Sequence, residues 1–234
     1  MNKTLWLYWH SGFENCPSIV KKCIDNWKFY NSDYKIMLLS DKNISEYIDI
    51  PRENHTIQAW SDIVRINLLY NYGGVWADST VACNQSLEEW LPEKGEYGFF
   101  AFSNPSYNIR VASWFLYGEQ NNIIINQWKK LVDIYWKSPN FKAYLWFHML
   151  FNDVIKNKEC EEMWSKIYKW NANYEPFPES SNNPHYFTPY RYDRWESCNE
   201  PLIAPLYKLT HHSNHSDVIK EPNIMRIFNV HTQI

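Results

Sequence analysis

The chain has 234 residues, enough for one domain with a sizeable core, and its formal net charge of -3 argues against a general nucleic-acid binder. Its 13 Trp, 17 Tyr and 12 Phe supply flat faces that suit sugar rings and nucleobases, and that serve equally well as core filling. The five cysteines (Cys16, Cys23, Cys83, Cys160 and Cys198) form no Cys-x-x-Cys pair, which argues against a zinc site or a disulfide framework and for a reducing compartment.

Residues 4 to 9 read as a first buried strand ending in Trp9-His10-Ser11-Gly12. Its apolar run is too short for a signal peptide, and no stretch approaches the roughly 18 apolar residues of a membrane span, so a cytosolic protein is expected. Pro17 opens a helix at its first position, with Ile19, Val20, Cys23, Ile24 and Trp27 at helical spacing. Residues 34 to 39 form the second strand, and a short helix around Ser45 to Ile48 ends at Pro51. This alternation predicts an α/β sheet.

The stretch from Trp60 to Val81 carries the chemistry. Ile63, Val64, Ile66, Leu68, Leu69, Tyr70 and Tyr72 predict a helix buried nearly all round, yet Asp62 and Arg65 lie three residues apart on one face of it. A buried carboxylate and guanidinium are costly unless paired or aimed at a ligand. Gly73 and Gly74 stop the helix and reverse the chain into a short apolar strand, Val75-Trp76-Ala77. Asp78 then emerges at that strand's C-terminal end, where open α/β sheets bind ligands. Taken singly, each feature is compatible with a core helix, an internal salt bridge and an exposed Asp.

Taken together, Ser61-Asp62-x-x-Arg65 followed by Leu-Leu-Tyr-x-Tyr-Gly-Gly-Val-Trp-x-Asp78-x-Thr80 resembles the nucleotide-sugar motif of the capsular polysaccharide synthesis glycosyltransferases. These belong to a wider group of retaining GT-A enzymes. The resemblance implies a GT-A type α/β fold, a Rossmann-like central mixed sheet flanked by helices, in a single domain over residues 1–234. Residues 1–83 would be the nucleotide-binding half and residues 84–234 the acceptor side. It implies transfer of a sugar, with retention, from a nucleoside diphosphate sugar (UDP-linked) to a growing capsular or exopolysaccharide repeat unit. The acceptor would be a saccharide or lipid-linked oligosaccharide, with peripheral association at the inner face of the cell membrane, and no nucleic acid is involved.

The resemblance also distributes roles. Asp62, Arg65 and Asp78 would be catalytic. Trp9, His10, Gly74, Thr80 and Lys208 would join them in binding the nucleotide sugar, with Trp9 against the base. A divalent cation, Mn²⁺ or Mg²⁺, would be held by Asp78, Thr80, His211 and His212. One departure stands out: the usual Asp-x-Asp is here Asp78-Ser79-Thr80, a form that capsule-type members commonly show, and it puts metal affinity in question.

Further along, Ser86 caps a short helix, and residues 97–102 and 112–117 read as strands joined by a loop holding Asn104, Asn108 and Arg110. Helices are expected over about 122–136, 143–155 and 160–170. The second carries His148, which reads either as a satisfied core residue or as an acceptor contact. From Asn171 to Pro205 six of the 12 prolines gather with Tyr186, Phe187, Tyr190, Tyr192 and Trp195. Such a segment reads either as a passive surface loop or as an active-site lid. Residues 205–212 resume a strand-like alternation that delivers Lys208, His211 and His212, and a closing tail follows. Two rival functions stay open at this point: a sugar-phosphate transferase of capsule synthesis, and a non-catalytic carbohydrate-binding protein.

Overall fold

A computed structural model describes residues 1–52, 55–106, 108–137, 143–172, 204–209 and 228. Its centre is a five-stranded mixed sheet in the order β2-β1-β3-β6-β5. β1 (Thr4–Tyr8) pairs in parallel with β2 (Lys35–Leu39) and with β3 (Gly74–Ala77). β6 (Ile109–Gly118) then runs antiparallel to β3 and to β5 (Phe99–Ser106). The expected Rossmann-like α/β sheet is present, with β3 in the middle.

Because side chains alternate across a strand, each strand feeds two cores. Leu5, Leu7, Val75, Ala77, Phe100 and Phe102 face α1 (Ser18–Tyr30), whose Val20, Cys23 and Trp27 are fully buried. Trp6, Tyr8, Trp76, Phe99 and Ala101 face the other layer. That layer is built from α2 (Ile57–Tyr72), α4 (Ile123–Lys137), α5 (Trp146–Val154) and α6 (Lys158–Lys166), while α3 is a single turn, Leu91–Lys94.

α2 starts a turn earlier than Trp60 because Thr56 Oγ1 caps it, accepting from the Ala59 N–H at 3.2 Å. It is buried along most of its length, but Tyr70 and Tyr72 turn outward, 43% and 40% exposed. Gly73 ends it at φ 67° and Gly74 enters β3 at φ 97°. A Cβ on Gly74 would lie 2.5 Å from the Thr4 carbonyl oxygen, so only glycine lets β3 pair this closely with β1.

Several boundaries differ from the sequence expectation. Pro17 sits at the N-cap of α1 with an extended ψ of 150°, one residue before the helix. The helix expected near Ser45 is a single 3₁₀ turn, Ile44–Glu46. Asn104 and Arg110 belong to strands, because the β5–β6 hairpin is longer than its apolar cores and absorbs two register shifts. Asn104 and Asn108 adopt positive φ there, a geometry that Asn tolerates.

After β3 the chain turns tightly, with the Val81 N–H donating to the Asp78 carbonyl at 2.8 Å, and enters β4 (Val81–Cys83). β4 pairs antiparallel with β7 (Leu206–Lys208) in a separate two-stranded sheet. Most of the Pro-rich segment, His211, His212 and Cys198 lie outside the described residues; Cys16, Cys23, Cys83 and Cys160 are free and buried. Among the described residues no helix is long and apolar enough to cross a membrane.

Candidate active site

The C-terminal ends of β1 and β3 open onto a cavity of about 350 Å³. Several elements converge on it. α2 contributes Gln58, Ser61, Asp62 and Arg65, which helical spacing stacks on one face. β1 runs out into Trp9 and His10, whose ring centroids are 5.8 Å apart. The turn after β3 supplies Asp78, Ser79 and Thr80, and β7 supplies Lys208.

Arg65 organises the site. Its Nη1 forms an ion pair with Asp62 Oδ1 at 2.6 Å. Its Nη2 lies 3.1 Å from Asp78 Oδ1 and 3.2 Å from Ser61 Oγ. The guanidinium is also placed between two rings, 5.1 Å from the centre of Trp76 and 5.6 Å from that of Phe147. It is 5% exposed, so it needs these partners. Asp78 is held from three directions: Trp76 Nε1 joins Arg65 on Oδ1 at 3.1 Å, and Lys208 Nζ meets Oδ2 at 2.8 Å. Its own N–H donates to the Trp114 carbonyl at 2.8 Å, which locks the strand end.

The two carboxylates differ in charge state because their partners differ. Burial pushes Asp62 up to about 7; Arg65 opposes this and Asp78 adds to it. Burial also pushes Asp78 up, but Lys208 and Arg65 outweigh it and hold the group below the ordinary carboxylate value. Asp78 is therefore firmly ionised. His148 of α5 also lines the cavity, with Nδ1 buried and lacking a hydrogen-bond partner among the described residues. Burial first, and the Arg65 charge second, lower it to about 4, so it is a neutral imidazole near pH 7.

The structure thus brings together Trp9, His10, Asp62, Arg65, Asp78, Thr80 and Lys208. Gly74 stands apart at the other end of β3, where its role is the close approach to β1. Gln58, Ser113 and Tyr144 line the cavity without having been singled out in the sequence. Gln58 lies three and four residues before Ser61 and Asp62, a spacing that would have found it. Tyr144, 83% exposed at the mouth, has no such signal.

GT-A glycosyltransferases commonly use a divalent cation. Of the implied ligands, Asp78 and Thr80 are described, and they do not fit a metal as they stand. One carboxylate and one hydroxyl already share the Lys208 ammonium, which lies 2.8 Å from Asp78 Oδ2 and 2.7 Å from Thr80 Oγ1. Among the described residues no group of three or more His, Cys, Asp or Glu side chains is placed to hold a metal ion.

Residues 1–226 match the family model described as capsular polysaccharide synthesis protein. The chain is 28% identical over 160 residues to the O-glycosyltransferase braB of Annulohypoxylon truncatum, a match covering 58% of this chain and 38% of the relative. It is 27% identical over 150 residues to the O-glycosyltransferase PaGT of Phomopsis amygdali, covering 54% and 37%. The match therefore spans less than half the length of these curated relatives. Among solved structures, a glycosyltransferase involved in the glycosylation of the major capsid of PBCV-1 superposes with a TM-score of 0.49 at 10% identity, covering 93% of this chain and 98% of that one.

Proposed function

The chain belongs to the capsular polysaccharide synthesis protein family, and from that membership we propose that it is a glycosyltransferase of GT-A type that moves a sugar, with retention, from a nucleoside diphosphate sugar to a saccharide acceptor. UDP is the favoured nucleotide, a capsular or exopolysaccharide repeat unit the favoured acceptor, residues 1–83 the nucleotide-binding half and residues 84–234 the acceptor side. The observation that carries this reading is the array Asp62–Arg65–Asp78–Lys208 around one cavity at the ends of parallel strands.

The chemistry follows from what each group can do. Breaking the anomeric C–O bond builds oxocarbenium character on the sugar and charge on the departing diphosphate. Trp9 offers a ring at the end of β1 for the base. Asp62, half-ionised near neutrality, accepts hydrogen bonds from donor-sugar hydroxyls while Arg65 fixes its orientation. Lys208 and Arg65 present positive charge where the diphosphate departs, and groups fixed before the reaction stabilise growing charge at little reorganisation cost. His148, neutral and with an unspent nitrogen, is available to a sugar hydroxyl.

Purified protein incubated with UDP-glucose, UDP-galactose, UDP-N-acetylglucosamine and GDP-mannose tests the reading. Slow release of nucleoside diphosphate and free sugar from one of them is expected. Release of nucleoside monophosphate would instead identify a sugar-phosphate transferase. Saccharide binding with no response to any nucleotide would identify a carbohydrate-binding protein.

A further inference from the structure

We propose that the Lys208 ammonium stands where metal-dependent glycosyl transfer places its divalent cation, so that Lys208 and Arg65 carry the leaving-group charge and transfer proceeds without metal. This rests on the glycosyltransferase reading above. The first support is the donor set. The two described residues of the metal motif, Asp78 and Thr80, converge on one cation, and that cation is Lys208 Nζ at 2.8 and 2.7 Å. The remaining carboxylate oxygen of Asp78 accepts from Arg65 and Trp76, both at 3.1 Å. A divalent ion entering between Asp78 and Thr80 would have to displace the ammonium or sit against it, and like charges repel strongly in a partly buried site.

The second support is that Lys208 is built in by its backbone. β7 pairs with β4 in the register Val81↔Lys208, Ala82↔Tyr207 and Cys83↔Leu206. The Leu209 N–H then donates to the Thr80 carbonyl at 2.9 Å. Leu206, Tyr207 and Leu209 around it are 0%, 0% and 1% exposed. The lysine's neighbours are core, and its side chain has little choice but the motif turn. An ammonium has three donors. Two are spent on Asp78 and Thr80, and Lys208 lines the cavity, where the third can meet a phosphate oxygen.

The step balances without a metal. The bond between the anomeric carbon and the β-phosphate oxygen breaks, and its electron pair stays on the diphosphate. The bond from the anomeric carbon to the acceptor oxygen forms, and the proton of that hydroxyl passes to the departing phosphate oxygen. Lys208 takes no part in this proton transfer and supplies charge and one hydrogen bond.

The test combines turnover with binding on the full chain. Nucleotide-sugar hydrolysis should persist within about twofold after exhaustive chelation and gain nothing from added Mn²⁺. Calorimetric titration with UDP and GDP should give the same affinity with EDTA as with Mn²⁺. Lys208→Met, checked for folding by its melting curve, should lose on the order of 100-fold in turnover and most of its nucleotide affinity. If Lys208→Met does not fold, the wild-type comparison decides alone. Turnover or nucleotide binding that vanishes in chelator and returns with Mn²⁺ would overturn the proposal and leave the glycosyltransferase reading intact. Failure of UDP and GDP to bind in either condition would bring down both.

Discussion

Asp62 and Asp78 are joined through a single guanidinium, Arg65 lying 2.6 Å from the first and 3.1 Å from the second, yet only Asp78 is held below the ordinary carboxylate value. The difference comes from Lys208 and Trp76, which touch Asp78 alone. Two acids on one cation are thereby given separate charge states, and separate tasks follow.

Asp62 should impose a pH dependence. Its carboxyl rises from 3.8 to about 7 on folding, so catalytic efficiency should fall as pH drops below about 7, with one ionisation, if the ionised form receives the sugar. Stability has the opposite sign. A raised folded-state pKa contributes stability that is full below 3.8 and lost as pH rises through about 7. Asp62→Asn should show a low, flat activity profile and lose that part of the stability slope. An unchanged inflection in the variant would assign the ionisation elsewhere.

For Asp78→Asn, turnover should drop by about 100-fold or more, since Arg65 and Lys208 lose the anion that positions them. The buried guanidinium is left short of a charge, so a loss of about 1–3 kcal/mol in unfolding free energy should accompany it. Denaturant unfolding alongside kinetics measures both. Near-normal transfer by the folded variant would remove Asp78 from the site.

His148 predicts acid sensitivity. Its pKa falls from 6.5 to about 4 on folding, so the unfolded chain takes up a proton that the folded chain refuses. The related stability is present above 6.5 and is lost as pH falls toward about 4, up to about 3 kcal/mol in all. His148→Gln should flatten this part of a stability-against-pH curve. A curve of wild-type steepness would refute the buried neutral imidazole.

Gly74→Ala separates a structural glycine from a binding one. The added Cβ would sit 2.5 Å from the Thr4 carbonyl oxygen at a φ of 97°, a strain of about 1–3 kcal/mol or more. The melting temperature should drop by several degrees, while nucleotide affinity of the folded fraction stays at the wild-type value. Weakened affinity without thermal loss would return Gly74 to the site.

Much of the site could be read from the sequence because it is local. Asp62, Arg65 and Asp78 lie within one helix, turn and strand, and the 3.6-residue period with the Gly73-Gly74 stop fixes their mutual placement. The β5–β6 hairpin was harder, since its apolar cores are shorter than its strands and two bulges with left-handed Asn residues carry the pairing onward. The contact between Lys208 and Asp78 spans 130 positions, and no period or spacing encodes it. The residues themselves offer only a lysine ending a short alternating run, and it was the family resemblance that put Lys208 with the nucleotide sugar. That it meets the motif turn is decided by β4 and β7 pairing across the long stretch of chain between them.

That pairing has a consequence for synthesis. Val81 to Cys83 leave the ribosome well before Leu206 to Lys208, and until then the turn carrying Asp78 has no second strand beside it. Closing so long a loop costs entropy that grows with the logarithm of its length, and contacts of this span slow folding. A nascent chain therefore has its Asp62–Arg65 segment in hand well before Lys208 can reach Asp78. Products that stop short of residue 208 should lack the Lys208–Asp78 contact and, under the proposed function, be inert toward nucleotide sugars.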